Sequence, residues 1–126
     1  FRQLYEAGYP IERMQLIDDY DASDQASMEA NNTTCFNFRQ IAGSTKLSNH
    51  SLGRAVDINP LYNPYVKKTA NGIIYDPPVG EAYADRDKDF PYKIDHDDLC
   101  YQLFTAHGFT WGGDWNSVKD YQHFEK

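Results

Sequence analysis

The segment SNHSLGRAVDIN (48–59) places a histidine and an aspartate seven residues apart, with few bulky residues between them. The alternation in its second half predicts a short strand whose Val56 and Ile58 face a hydrophobic core. The residues predicted to face outward are Ala55, Asp57 and Asn59. His50 falls in the loop before this strand, and Gly53 permits the tight turn that brings the loop back. A loop imidazole above a strand carboxylate is a reasonable start for a metal site, although such pairs also occur as purely structural contacts.

A second stretch, DYQHFE (120–125), adds a third candidate ligand near the end of the chain. His123 lies on a predicted strand, with its two neighbours on the opposite face, so its imidazole is predicted to face away from the core. In a continuous strand Asp120 would face the other way, so a shared site requires a turn between Asp120 and His123. Hydrolytic zinc sites use two histidines and one carboxylate as ligands, with a further carboxylate as general base. With such a turn the arrangement would be His50, Asp57 and His123 on one metal ion, with Asp120 left as a second carboxylate beside it.

Composition and charge exclude several classes of protein. The 126 residues, 40% of them hydrophobic, suit one domain spanning 1–126 around a single core. Nineteen acidic and twelve basic residues argue against a nucleic-acid partner, because phosphate binding depends on clustered Lys and Arg. No apolar run approaches the roughly 20 residues of a membrane span, and we expect a monomer. The chain starts without Met inside a predicted helix, so we expect its N-terminal part to be trimmed. Cys35 and Cys100 permit one disulfide and require none.

Local patterns predict an α+β fold, a small single domain with a central antiparallel sheet flanked by a few helices. Helices are predicted over 1–8, 23–32 and 95–108, the last of them capped by Asp95. Strands are predicted over 14–20, 33–39, 54–59, 109–111 and 121–125. Within 33–39, Phe36 and Phe38 are predicted to face one way and Arg39 the other. The stretch 60–91 is rich in Pro, Gly and Tyr and is predicted to be a long functional connection.

Together the two stretches resemble the M15 peptidase family, the zinc D-Ala-D-Ala metallopeptidases. SNHSLGRAVDIN is similar to the family's S-x-H-x-x-G-x-A-x-D signature, and WGGDWNSVKDYQHFE (111–125) to its closing W-G-G-D-W and acid-x-x-His elements. The resemblance extends from about Phe36 to the end of the chain, and NPLYNPYV and YADRD look like the VanY-like carboxypeptidase branch. It implies the small α+β fold that this family shares with lysostaphin-type peptidases and the hedgehog signalling domain.

Carried over by position, the resemblance implies one zinc ion held by His50, Asp57 and His123, and a general base at Asp120. The base would accept a proton from the attacking water and pass it to the leaving amine. The implied substrates are peptidoglycan stem peptides of the bacterial cell wall, so the protein would be secreted, periplasmic or associated with the cell envelope. Removal of a terminal D-Ala by a D-alanyl-D-alanine carboxypeptidase is the favoured reaction. The alternatives are an L-alanyl-D-glutamate endopeptidase of the same family and a non-catalytic zinc-containing binding module.

Three further residues take substrate-related roles by the same resemblance. Arg39 stands where the family has an upstream arginine that polarises the scissile carbonyl and holds the developing oxyanion. Ser48 matches the signature serine, a candidate for hydrogen bonding to substrate, and Trp115 is implied to line the site or to orient a ligand. A carboxypeptidase also needs a group that recognises the terminal carboxylate. We expect that group within 60–91, and the sequence does not single out one residue there.

Overall fold

The computed structural model describes residues 1–41 and 43–126. Its helices are α1 (Arg2–Glu6), α2 (Asp24–Glu29) and α3 (Leu99–Ala106). Its strands are β1 (Ala55–Asp57), β2 (Tyr65–Thr69), β3 (Gly72–Asp76), β4 (Thr110–Trp111), β5 (Lys119–Asp120) and β6 (His123–Glu125). Short 3₁₀ helices lie at Ile17–Tyr20, Asn49–Leu52, Pro78–Tyr83 and Gly112–Asp114. This combination of a few helices with antiparallel strands confirms the predicted α+β class.

The predicted antiparallel sheet is divided into two sheets of three strands. The first has the order β1-β6-β4 and the second the order β3-β2-β5, with every pair antiparallel. The chain passes from the second sheet to the first between β5 and β6, through a turn at Tyr121 and Gln122. The turn that a shared site for Asp120 and His123 requires is therefore present.

One hydrophobic core joins α1 and α3 to the first sheet. Its buried members are Leu4, Val56, Ile58, Ile94, Cys100, Phe104, Trp111 and Phe124. Phe104 of α3 stacks on Phe124 of β6 with ring centroids 4.8 Å apart. Val56 lies directly opposite Phe124 in the β1–β6 pair. Because close packing restricts movement of both strands, the core fixes the backbone that carries Asp57 and His123.

The predicted strand at 33–39 is wrong, and so is the face assigned to its aromatic residues. Phe36 and Phe38 are 59% and 72% exposed, whereas Asn37 between them is buried. The Asn37 amide donates a hydrogen bond to the Asp24 carboxylate at the start of α2. A buried polar side chain needs such a partner. Here the partner belongs to α2, which lies outside the segment whose alternation predicted the strand.

Two other stretches also differ from the prediction. The predicted strand at 14–20 is wrong, because Ile17–Tyr20 forms a 3₁₀ helix. The stretch 60–91 is not a bare connection: it contains the β2–β3 hairpin and the 3₁₀ helix Pro78–Tyr83. The two-residue loop of the hairpin is Ala70–Asn71, and Gly72 follows it as the first residue of β3 with φ of 129°. This hairpin contributes one wall of the candidate site.

The predicted helices are confirmed with adjusted ends. Ser23 caps α2, since its hydroxyl accepts a hydrogen bond from the Ala26 amide. Asp98 caps α3, where Asp95 was predicted, and accepts a hydrogen bond from the Cys100 amide. Cys35 and Cys100 are both free thiols, which answers the question of a disulfide. Across the described ranges, we find no helix with the length and apolarity needed to cross a bilayer.

Buried asparagines attach the end of β1 to the segments around it. Ala55 and Asn59, predicted to face outward, are both buried. The Asn59 amide donates to the Pro10 carbonyl at 2.8 Å, and the Asn63 amide donates to the carbonyls of Asn59 and Tyr92 at 3.1 and 2.9 Å. These bonds satisfy buried polar groups and tie the N-terminal segment and 60–98 to the first sheet.

Arg86 connects separate parts of the segment 62–94 through its side chain. Its guanidinium donates four hydrogen bonds of 2.8–3.1 Å, to the carbonyls of Tyr62, Tyr83 and Ile94 and to the side-chain oxygen of Asn63. It also lies 4.4 Å over the ring of Tyr121, the first residue of the turn between the sheets. Burial lowers the pKa of Arg86 to about 10.

We expect Arg86→Met to lower the free energy of unfolding by about 3 kcal/mol, because charged donors are lost and their acceptors stay partly buried. Urea titration followed by circular dichroism measures this change. Lys88→Met, at an exposed residue nearby, should change the value by less than about 0.5 kcal/mol. If the two variants unfold at the same urea concentration, the hydrogen bonds of Arg86 do not stabilise the segment 62–94.

Candidate active site

His50 lies on one short helical turn that is capped at both ends. The Ser48 hydroxyl accepts a hydrogen bond from the His50 backbone N–H at 3.3 Å and caps the 3₁₀ helix Asn49–Leu52. Gly53 ends the turn with φ of 65°, a conformation that glycine adopts without strain. The imidazole is only 3% exposed. The small residues around His50 in the sequence are therefore those that the turn requires.

Asp57 and His123 are brought together by the pairing of β1 with β6. They lie directly opposite each other in the antiparallel register, so their side chains share one face of the sheet. Val56 and Phe124, the next pair in the register, face the core on the other side. One face of this sheet therefore belongs to the core and the other to the site.

The polar atoms of His50, Asp57 and His123 converge. His50 Nε2 lies 3.3 Å from His123 Nδ1 and 3.2 Å from Asp57 Oδ2. Asp57 Oδ1 lies 3.0 Å from His123 Nδ1. These three side chains offer one ligand atom each within a small enough volume to hold a metal ion.

The other nitrogen of each imidazole is bonded to an oxygen acceptor. His50 Nδ1 donates to the Cys35 carbonyl at 2.9 Å, and His123 Nε2 donates to Glu125 Oε2 at 3.0 Å. Asn49 donates to the same Glu125 oxygen at 2.8 Å and holds the carboxylate in place. These bonds assign an N–H to His50 Nδ1 and to His123 Nε2, so that His50 Nε2 and His123 Nδ1 are the nitrogens that can bind a metal ion once they carry no proton.

The donor set fits a tetrahedral ion such as zinc. Zinc takes nitrogen and oxygen ligands at about 2.0–2.1 Å, which puts neighbouring ligand atoms of a tetrahedron about 3.3 Å apart. The observed separations are 3.0–3.3 Å. Three protein ligands leave one coordination position for water or substrate, as catalytic zinc sites do.

The electrostatics of the metal-free cluster favour a cation. Burial by itself lowers the pKa of His123, but the hydrogen bond and charge of Asp57, with Asp120 and Glu125, outweigh it and raise the pKa to about 9. Burial raises the pKa of Asp57, and the two histidines outweigh this effect and hold it well below its usual value. The cluster therefore binds a proton tightly at the position where its donor atoms could hold a metal ion.

Asp120 ends β5 in the second sheet and lines the same cleft. A Cβ at position 112 would lie 2.5 Å from the Asp120 carbonyl oxygen, so Gly112 of the W-G-G sequence permits this close approach. Among the described residues, Asp120 Oδ1 is buried and has no hydrogen-bond partner. Burial and the charge of Asp57 raise its pKa to about 7. A carboxylate with these properties is suited to accept and release protons near neutral pH.

The remaining predicted site residues also line this cleft, which encloses about 610 Å³. Arg39 reaches it from a loop, with Nε 2.8 Å from Asp24 Oδ2. Ser48 is buried beneath the turn that it caps. Trp115 forms a side of the cleft, its ring centroid 5.3 Å from that of His123. The structure thus brings together all seven residues that the sequence singled out.

Among the cleft residues that sequence reasoning missed, Glu125, Tyr65 and Lys67 bear most directly on the site. Glu125 follows His123 by two residues and lies on the same face of β6. The alternation of a strand over HFE would therefore have predicted that Glu125 faces the site. Tyr65 lies opposite Asp120 in the β2–β5 pair, and Lys67 lies on the same face of β2. Neither could be found without predicting the hairpin.

Comparison with known proteins gives one match. A family model described as D-alanyl-D-alanine carboxypeptidase matches residues 42–126, about two thirds of the chain. The matched range includes His50, Asp57, Asp120 and His123, and Arg39 precedes it. Searches of curated proteins and of solved structures found no match. The chain belongs to the M15 peptidase family.

Proposed function

We propose that this protein is a zinc-dependent D-alanyl-D-alanine carboxypeptidase of the VanY-like branch, which removes the terminal D-Ala from peptidoglycan stem peptides. The observation that carries the proposal is the convergence of His50 Nε2, Asp57 and His123 Nδ1 beside the buried carboxylate of Asp120. Membership of a peptidase family supports peptide hydrolysis as the reaction. A metal-binding cluster without an adjacent free carboxylate would have fitted a binding module equally well.

His50, Asp57 and His123 would hold the ion, and their partners Cys35 and Glu125 would keep the imidazoles oriented. A zinc ion bound there supplies a Lewis acid that makes water acidic near neutral pH and polarises a carbonyl. The chain itself supplies orientation: both histidines are buried and each is fixed at its second nitrogen. Such fixed ligands need little reorganisation during the reaction.

Asp120 would accept the proton of the attacking water and deliver it to the nitrogen of the departing D-Ala. The exchange of a proton in both directions requires a pKa near the working pH, and burial raises the Asp120 pKa to about 7. Its unpartnered Oδ1 leaves an acceptor available to water. Asp120 would therefore act first as base and then as acid.

Arg39 would donate hydrogen bonds to the oxygen of the scissile carbonyl as negative charge develops there. Its ion pair with Asp24 uses Nε and holds the side chain at the cleft, which leaves the terminal nitrogens for substrate. Ser48 would contact the substrate at the edge of the His50 turn, and Trp115 would form a side wall. These roles follow from the family resemblance and from the position of each residue in the cleft.

A cell-wall substrate implies action outside the cytoplasm. We accordingly propose a secreted, periplasmic or envelope-associated protein that acts as a monomeric single domain. The negative net charge of −7 supports a partner other than nucleic acid.

The test is mass spectrometry of pentapeptide muropeptides after incubation with the zinc-loaded protein, with and without a chelator. Loss of one terminal alanine that the chelator abolishes is the expected result. Release of a longer peptide would replace the carboxypeptidase by the L-alanyl-D-glutamate endopeptidase. Zinc binding without any cleavage would favour the binding module and overturn the proposal.

Glu125→Gln should lower zinc affinity by about 10- to 100-fold, the usual effect of removing an acidic partner from a metal-binding histidine. Glutamine keeps the shape of the side chain but removes the negative charge from the group that accepts the hydrogen bond of His123 Nε2–H. Competition with a chromophoric chelator measures the affinity. Glu6→Gln, at an exposed glutamate on α1, is the matched control and should leave it unchanged. Equal affinity in both variants would show that Glu125 does not support the ligand.

A further inference from the structure

The β2–β3 hairpin divides its side chains between two clefts. Tyr65 and Lys67, on one face of β2, line the active-site cleft. Val66 and Lys68, on the other face, line a separate cleft. This division follows from the two-residue period of a strand. Of two adjacent lysines, only Lys67 therefore borders the site.

Lys67 differs from Arg39, the other permanent cation of the active-site cleft, in having neither an ion pair nor a role in the proposed reaction. The cleft is lined by carboxylates, namely Asp24, Asp57, Asp76, Asp120 and Glu125. Arg39 pairs through Nε with one of them, at 2.8 Å from Asp24 Oδ2, and its terminal nitrogens are assigned above to the scissile carbonyl. For Lys67, no carboxylate within the described ranges lies within 4.0 Å of its ammonium group. A substrate anion entering this acidic cleft would meet one unpaired positive charge.

The position of Lys67 relative to the proposed base suits the end of a peptide. Tyr65 lies directly opposite Asp120 in the β2–β5 pair. Lys67 is two residues farther along β2, or about 6.6 Å. In a peptide, the carboxylate of a terminal residue lies about 4 Å from the carbonyl carbon that precedes it. The flexible four-carbon stem of a lysine can bridge the remaining distance.

We infer that Lys67 is the specificity-determining residue that binds the terminal carboxylate of the peptide. This inference rests on the proposed function and supplies the recogniser that the sequence alone did not identify. Lys67 takes no part in the bond-breaking step. By binding a free carboxylate one residue beyond the scissile bond, it selects the removal of a single terminal residue over cleavage within the stem.

The test compares a pentapeptide stem that ends in a free carboxylate with the same peptide ending in an amide. We expect wild-type kcat/KM to favour the free acid by about 30-fold, the effect of one hydrogen bond to a charged group. Lys67→Met should reduce this ratio to within about threefold of unity. Lys68→Met, on the opposite face of the strand, should keep the wild-type ratio. A ratio unchanged in Lys67→Met, or a wild-type ratio near unity, overturns the inference.

A binding measurement separates this inference from the proposed function. Calorimetry on zinc-loaded Asp120→Asn gives the Kd of both peptides without turnover. The free acid should bind at least tenfold more tightly than the amide, and adding Lys67→Met should remove the difference. If wild type cleaves neither peptide, the proposed function fails while the binding preference still decides the role of Lys67. Equal Kd values for the two peptides in Asp120→Asn refute that role whatever the activity.

Discussion

Asp120→Asn is expected to lower kcat about 1,000-fold while zinc content and KM change little. Asparagine has nearly the same size but cannot accept the proton, and general acid–base catalysis contributes roughly 10²- to 10⁴-fold. Steady-state kinetics on a pentapeptide substrate, with zinc measured by atomic spectroscopy, tests this result. Asp114→Asn, at an exposed aspartate of the W-G-G-D segment, is the control and should keep kcat within about twofold. A kcat near that of wild type in Asp120→Asn would remove Asp120 from the role of base.

The same substitution should stabilise the metal-free protein at alkaline pH. The Asp120 pKa is raised from 3.8 to about 7, so the folded state holds its proton more tightly than the unfolded state does. Stability is therefore lost as pH rises from about 4 to about 7, and the loss persists above that range. Asparagine carries no charge and escapes this loss. Calorimetry at pH 8 should show a Tm increase of about 5 °C, with no difference at pH 4. A lower Tm in the variant at pH 8 would mean that the carboxylate has a stabilising partner.

His50→Ala is expected to weaken zinc binding by well over 100-fold and to abolish peptide hydrolysis. Loss of an indirect partner alone costs about 10- to 100-fold, and this substitution removes a ligand atom that lies 3.2–3.3 Å from the other two. Chelator competition and activity assays measure both effects. His107→Ala, at an exposed histidine after α3, should match wild type. Retained zinc affinity in His50→Ala would contradict the proposed ligand set.

Zinc binding to wild type should also depend on pH. The His123 pKa is raised to about 9 in the metal-free protein, so at pH 7 a proton occupies a ligand nitrogen and must leave. The apparent affinity should therefore rise about tenfold per pH unit up to about pH 9 and level off above it. Competition measured from pH 6.5 to 9.5 tests this slope. An affinity independent of pH would show that His123 is not protonated in the free site.

The site could be predicted from sequence because its residues lie in short local patterns. The spacing of His50, Gly53 and Asp57 contains a turn and the first residues of a strand, and both depend mainly on nearby residues. The separation of Asp120 from His123 required a turn, and the structure has one at Tyr121–Gln122. The fold class followed from the same kind of local information.

The remaining elements depend on partners that are distant in sequence. Phe36 and Phe38 alternate with polar residues, yet they are exposed because Asn37 is held by Asp24 of α2. The β2–β3 hairpin has exposed lysines and no continuous apolar face, so hydrophobic periodicity did not reveal it. Only the neighbouring residues Asn71 and Gly72, at the end of the hairpin loop and the start of β3, carried a local signal of a turn. Lys67 could therefore not be assigned to the site until the pairing of β2 with β5 was known.

The two-sheet division has a consequence for how this enzyme can diversify. The proposed metal ligands belong to the first sheet and the turn before it, whereas Asp120, Tyr65 and Lys67 belong to the second, and a two-residue turn connects them. Substitutions within 65–76 would change the residues proposed to contact the peptide without changing a proposed metal ligand. Under the proposed function, selection could thus exchange one peptide preference for another while the proposed metal ligands stay unchanged. The hairpin is the natural segment to graft when a relative with a different preference is to be made.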